Sequence, residues 1–299
     1  MKGSGPRQAT LPGLWKREQE SNEKSKRKTS RTYDAVSYHK CDDNNGVLFW
    51  ENKSLVNGPM LLLRGAVGGS TSTQRKNTKE ALSSLPDWDD SVTFNIYGKE
   101  CCMRRRICQY SSSGDISYSY SGLKNVVAPQ FPMLVYEIKC QVEDLMLNYF
   151  LDNLEPSLST GIKHFAVPPE FMALLRAIRE SRNDPTSGER SEIFNYCLLN
   201  HYRNGEEYMS YHTDDESSLH PHCPIASVSL GSTRNFDIRQ RKKGETSTKR
   251  CRLDRIPLGD GDLLLMFHPM QENYEHCIPV EKRVVGDRIN LTFRRVNKR

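Results

Sequence analysis

The sequence predicts a mostly β fold with flanking helices: a sandwich, barrel or jelly roll. Two observations carry this. From residue 193 onward, strand-like runs follow one another at 193–202, 208–214, 225–231, 234–240, 251–256, 262–267 and 288–295. Turn or loop residues separate most of them. Before them lie only two helical stretches, 132–154 and 168–181. The chain has 299 residues, 36% hydrophobic and 27% charged, which suits one large domain or two small ones.

Taken in order, residues 1–32 lack apolar periodicity and read as a disordered basic tail. They hold nine Lys and Arg against three Glu, which equals the +6 of the whole chain. Residues 33–299 hold 34 residues of each sign, so net charge alone does not mark the body as a nucleic-acid binder. Lys24-Ser25-Lys26-Arg27-Lys28 has the form of a nuclear-localisation cluster, against the plainer reading of a solvating tail. Residues 8–15 set Leu11, Leu14 and Trp15 in polar surroundings, as a docking peptide does. Their spacing is similar to the peptide that binds the sliding clamp of replication, with Leu14 in place of the first aromatic.

Residues 33–91 carry a weak pattern and read as an N-terminal extension, with a flexible loop at Gly68–Thr73. Val92 to Tyr97 alternates like a strand, Gly98 invites a turn, and Ile116 to Tyr120 reads as another strand. In 132–154, Leu134, Ile138, Leu145 and Tyr149 fall near one helical face. In 168–181, Phe171, Leu174, Leu175 and Ile178 follow i, i+3, i+4, i+7 spacing, and Pro168-Pro169 suits a helix start. Both stripes predict packing. Residues 155–167 between them read as loop.

Some classes are excluded. No apolar run approaches the roughly 20 residues of a membrane span, and no apolar h-region follows the start. The nine Cys are odd in number and include no C-x-x-C pair, so a reducing compartment is expected.

His212-Thr213-Asp214 lies near the end of a predicted strand. Residues two apart on a strand share a face, so an imidazole and a carboxylate can converge on one cation. A simple His–Asp hydrogen bond explains the same triplet. A second His would complete a two-His-one-carboxylate face, which leaves positions on Fe(II) for a bidentate co-substrate and O2. His220, His222, His268 and His276 are the downstream choices, and His220-Pro221-His222-Cys223 is a rival cluster. In Arg288–Arg294, Ile289, Leu291 and Phe293 share one face. Arg288, Asn290, Thr292 and Arg294 share the other, either a solvated basic face or a polar interior that pairs with a carboxylate. Asn200 and Tyr202 offer a further same-face polar pair.

These residues together resemble the AlkB family of iron- and 2-oxoglutarate-dependent dioxygenases. The resemblance rests on His212-x-Asp214, His276, and Arg288 to Arg294, with Asn200-His201-Tyr202 and Pro224–Ser229. Tyr97-Gly98-Lys99, Tyr118–Gly122 and His212–Glu216 are similar to the eukaryotic duplex-DNA repair branch, AlkB homologue two. The resemblance covers about 92–122 and 168–295. It implies a double-stranded β-helix (jelly-roll) core in a dioxygenase domain at 92–299. That domain would hold a nucleotide-recognition region at about 92–122 and an insertion at 123–167. His212, Asp214 and His276 would hold Fe(II). Arg288 would pair with 2-oxoglutarate beside Asn200 and Tyr202, with Asn290 on the same face and Arg294 near the co-substrate's other end. Tyr120 and His212 would sandwich a flipped base, with Tyr118, Asp215 and Glu216 along the pocket, and Tyr97 would wedge into the stack.

The implied activity is oxidative demethylation of 1-methyladenine and 3-methylcytosine in DNA, with Fe(II), 2-oxoglutarate and O2, releasing succinate, CO2 and formaldehyde. Both lesions are cationic, so carboxylates at Asp215 or Glu216 would favour them. Residues 233–255 carry nine basic and three acidic residues. Arg241, Lys242 and Lys243 at a hairpin tip, and Arg104-Arg105-Arg106 after the Tyr97 segment, are expected DNA contacts. The enzyme is expected to be nuclear and monomeric. An RNA demethylase and a non-catalytic nucleic-acid-binding jelly roll are the competing readings.

Overall fold

Strand Arg288–Arg294 shows how the sequence builds the molecule. Its Ile289, Leu291 and Phe293 enter the main hydrophobic core, while Arg288, Asn290, Thr292 and Arg294 line a cavity on the opposite face. Alternation therefore sorts side chains between a dry layer and a polar interior, and no residue of the strand reaches solvent.

The computed structural model describes residues 47–50, 60–96, 99–114, 116–120, 123–154, 167–184, 186, 191–241 and 252–297. The elements are β1 (Val47–Trp50), β2 (Met60–Leu63), α1 (Ser72–Ser83), β3 (Thr93–Ile96), β4 (Lys99–Cys102), β5 (Arg106–Ser111), β6 (Ser117–Tyr120) and β7 (Leu123–Val127). There follow α2 (Met133–Leu147), which continues as a π-helical segment Asn148–Leu154, then α3 (Pro169–Asn183), β8 (Tyr196–Tyr202) and β9 (Met209–His212). The rest are β10 (Ile225–Gly231), β11 (Arg234–Gln240), β12 (Asp254–Leu258), β13 (Asp262–Met266), α4 (Met270–Asn273), β14 (Tyr274–Ile278) and β15 (Arg288–Arg294).

A seven-stranded antiparallel sheet runs β1-β2-β13-β10-β15-β8-β5, and a four-stranded sheet runs β12-β11-β14-β9. Both contribute side chains to one cavity, the arrangement of a jelly-roll core. The helices cover the other face of the larger sheet. Val135, Ile138, Val142 and Met146 of α2 and Phe171, Leu175 and Ile178 of α3 join Leu263, Leu265 and the apolar face of β15. Phe150 sits edge-on to both Phe171 and Phe267 at the centre of this layer. No helix among the described residues is long and apolar enough to cross a membrane.

Two expectations change. The stretch 33–91, set apart as an extension, supplies β1, β2 and α1, and β2 pairs with β13 inside the larger sheet. The flexible loop expected at Gly68–Thr73 is a helix start: Gly68 and Gly69 take positive φ, and Thr71 caps α1 through a reciprocal bond pair with Gln74. Within 123–167, which the resemblance sets apart as an insertion, β7 pairs with β6 and α2 packs in the core. Residues 1–32, Tyr97, Lys242, Lys243 and most of 155–167 lie outside the described residues.

Candidate active site

The cavity, about 160 Å3, lies between the sheets. The larger sheet lines it with Asn200, Tyr202, Ser227, Met266 and the polar face of β15. The smaller sheet contributes His212, Phe236, His276 and Ile278.

At one end His212 and His276 are ladder partners across β9 and β14, their ring centroids 4.2 Å apart. The expected strand 208–214 stops at His212, so Asp214 lies just beyond it rather than on its alternating face. It still turns inward. Its carboxylate is 3.7 Å from His212 Nε2 and 3.9 Å from His276 Nε2, and Gln271 Oε1 accepts its backbone N–H at 3.0 Å. The three ligand atoms lie within 4.8 Å of one another. His212 Nδ1 lies 2.9 Å from the Ser210 carbonyl. A carbonyl can only accept, so Nδ1 carries the proton and Nε2 keeps its lone pair for a cation. Phe236 stacks on His276 at 4.9 Å.

Burial pushes both imidazoles down, His276 to about 3, so both are neutral and able to ligate. Burial alone would raise Asp214, but Arg294 foremost, then the two imidazoles, hold it well below the usual carboxylate range. Arg294 Nη2 sits 3.0 Å from Asp214 Oδ1. Two neutral imidazoles and one ionised carboxylate form a donor set that fits Fe(II).

At the other end Arg288 is 1% exposed. Its Nη2 donates to Ser229 Oγ at 2.8 Å, while Nε and Nη1 are buried with no protein partner. Burial pushes this guanidinium down to about 10, which leaves it cationic at neutral pH. A buried cation with two unmatched N–H groups fits a carboxylate in bidentate pairing. Tyr202 lies 5.4 Å below it. Asn290 is internally committed: Nδ2 donates to Ser227 Oγ and the Val228 carbonyl, and Oδ1 accepts from Thr292. It braces the strand beneath the cavity. Asn200 Oδ1 accepts from Arg105 Nε at 2.6 Å.

That last bond corrects an expectation. Arg105 is 5% exposed and turns into the site, not out to a nucleic-acid strand. Arg106 opens β5 opposite His201, which it contacts at 2.7 Å, so residue 105 faces the other way, toward Asn200. Only Arg104 of the three is exposed. Asp215 is also reassigned: it is exposed and pairs with Arg241 at 2.6 Å, so its charge is balanced outside the cavity. Arg241 is engaged by the same pair. Glu216 does line the cavity, and burial, then Asp214, push its carboxyl up. Tyr118 is buried against Tyr196, with Arg294 5.7 Å from its ring. Tyr120 ends β6, and its side chain lies outside the described set.

Sequence reasoning missed Ser227, Ser229 and Phe236 as site neighbours. Ser227 and Ser229 do alternate along β10, and that polar face was the available signal.

A sheet pair enclosing a two-His-one-carboxylate cluster opposite a buried arginine defines a class of non-haem iron oxygenase. The chain belongs to the 2OG-Fe(II) oxygenase superfamily, whose model matches residues 60–294. That family works with Fe(II), 2-oxoglutarate and O2. Human DNA oxidative demethylase ALKBH2 is 39% identical over 130 residues, 43% of this chain and 48% of that protein. The Arabidopsis thaliana protein of the same name is 28% identical over 220 residues, 68% of this chain and 57% of that one. Human alpha-ketoglutarate-dependent dioxygenase alkB homolog 3 is 37% identical over 131 residues, 43% of this chain and 44% of that one. The chain thus spans about half the length of the curated relatives it matches.

Proposed function

We propose that this protein is a DNA repair dioxygenase that oxidatively demethylates N-alkylated bases, 1-methyladenine and 3-methylcytosine, releasing succinate, CO2 and formaldehyde. The observation that carries the reading is the pairing of the His212–Asp214–His276 cluster with the unmatched guanidinium of Arg288 in one cavity. The similarity to DNA oxidative demethylases supports the substrate. His212, Asp214 and His276 would hold Fe(II), which with 2-oxoglutarate and O2 supplies the oxidation of the N-methyl group. Arg288 and Tyr202 would bind the co-substrate. Arg294 fixes the ionised form of Asp214. Glu216 gives the cavity a carboxylate that a cationic base stabilises in its charged state, and Tyr118 and Tyr120 belong to the base side. Tyr97 would fill the stack left by the flipped base.

Lys24–Lys28 supports a nuclear address and residues 8–15 support docking on the sliding clamp, both on sequence alone. Lys242 and Lys243, which lie outside the described residues, would supply charge for phosphates, on sequence alone.

The test offers a duplex oligonucleotide bearing 1-methyladenine with Fe(II), 2-oxoglutarate and ascorbate. Restored adenine with equimolar formaldehyde and succinate is expected. Intact lesion rejects the assignment, and faster repair of the same lesion in RNA would move the enzyme to the RNA class.

A further inference from the structure

Arg234 opens β11 in the smaller sheet, yet its side chain crosses to the larger one. It is 1% exposed and does not line the cavity. Its Nε donates to Glu281 at 3.1 Å and its Nη1 to the Asn204 carbonyl at 3.0 Å. Its Nη2 donates to the carbonyls of Glu207 and Pro279 at 2.8 and 2.7 Å. The guanidinium also lies 5.6 Å from the ring of Tyr202, which Arg288 approaches to 5.4 Å. Two guanidiniums thus share one phenol ring, but only Arg288 keeps N–H groups without a protein partner.

The acceptors of Arg234 belong to two connections. Residues 203–208 lead from Tyr202 to β9 and His212, and residues 279–287 lead from β14 and His276 to Arg288. Glu281 ties them further. Its carboxylate accepts the Asn235 backbone N–H at 2.8 Å, and its own N–H donates to the Gly205 carbonyl at 2.7 Å. Irregular backbone needs such partners for its carbonyls, and a forked guanidinium serves several at once. Each connection joins a metal-end residue to a co-substrate-end residue. Arg234 therefore sets the relation between the two ends.

We propose that Arg234 is a positioning residue for the co-substrate. It fixes Tyr202, and with it Arg288, at the carboxylate-binding end without touching the co-substrate itself. The proposal rests on the reading that the cavity takes 2-oxoglutarate.

The test uses the full chain loaded with Mn(II), titrated with 2-oxoglutarate by calorimetry, with Mn(II) affinity read separately by electron paramagnetic resonance. Wild type is expected to bind 2-oxoglutarate. Arg234→Met is expected to weaken that binding about tenfold while Mn(II) affinity changes by less than about twofold. In an Arg288→Lys background the same substitution should add less than about threefold, because its effect runs through Arg288. Arg234→Lys keeps one charge but not the fork, and should weaken 2-oxoglutarate in the same direction; it decides the matter if the Met variant does not fold. Unchanged 2-oxoglutarate affinity in a folded variant, or equal loss of Mn(II) and 2-oxoglutarate, overturns the proposal. Failure of wild type to bind 2-oxoglutarate overturns the reading of the cavity first, and this proposal with it.

Discussion

His276 concentrates the residue-scale argument: it is buried, held neutral, stacked on Phe236 and aimed at Asp214. His276→Ala should abolish turnover and reduce Mn(II) affinity by at least about 100-fold, while DNA affinity in a gel-shift assay stays nearly intact. Retained activity would reject the ligand set. A second expectation concerns pH. Burial lowers His201, though Asp287 pulls the other way, and His212 and His276 are lowered too. The unfolded chain takes up protons below about 6.5 and the folded one does not. The metal-free protein should therefore lose stability as pH falls from 7.5 to 5.5 in urea unfolding. His201→Gln, which keeps polar partners for Arg106 and Asp287, should lessen the slope. The spacing alone left four histidines open as partners for His212 and Asp214, and the resemblance selected His276 together with Arg288, which the fold brings to one cavity. Arg105 and Asp215 could not be placed from sequence. The direction of Arg105 depends on the register of β5 against β8, and the partner of Asp215 lies 26 residues away.

At the scale of elements, the strands with alternating or uniformly apolar runs were readable. β10 and β11 match their expected bounds, and β15 ends one residue early. Elements whose signal lies in tertiary contacts were missed. α1 is polar, with Leu82 its single buried residue, and β14, which carries His276, has only five residues. Two substitutions test the joints between elements. Glu143 of α2 is fully buried. It pairs with Lys139 and Arg182 and accepts the backbone N–H groups of Ile193 and Phe194, just before β8. Glu143→Ala leaves two buried N–H groups without their acceptor and the buried Lys139 with Glu192 alone, and should cost about 3 kcal/mol in denaturant unfolding. Gly205 lies against the 279–287 connection so closely that a Cβ would come within 1.9 Å of the Glu281 carbonyl oxygen. Gly205→Ala should cost about 2–3 kcal/mol.

For the whole molecule, charge and stability are laid out in separate regions. The tail carries a charge equal to the chain's entire formal excess, while in the body Arg239, Arg241, Arg252 and Arg255 are each matched to a carboxylate. Composition could not show that matching, since it arises only when β9, β11, β12 and β14 come together. The cavity between the sheets links ligand binding to global stability. At 100 times their dissociation constant, Mn(II) and 2-oxoglutarate together should raise unfolding stability by about 2.7 kcal/mol or more, read as a melting shift. The Arg288→Gln variant should lose the 2-oxoglutarate part of that shift. His212 and His276 stand 64 positions apart in the chain and meet at the outermost pairing of the smaller sheet. An ion held by both is a removable staple across that stretch. In the chain-entropy description, a cross-link closing a loop of this length is worth about 4 kcal/mol. The reaction centre would then also fasten the barrel's edge, and a chelator that stops turnover would unfasten it.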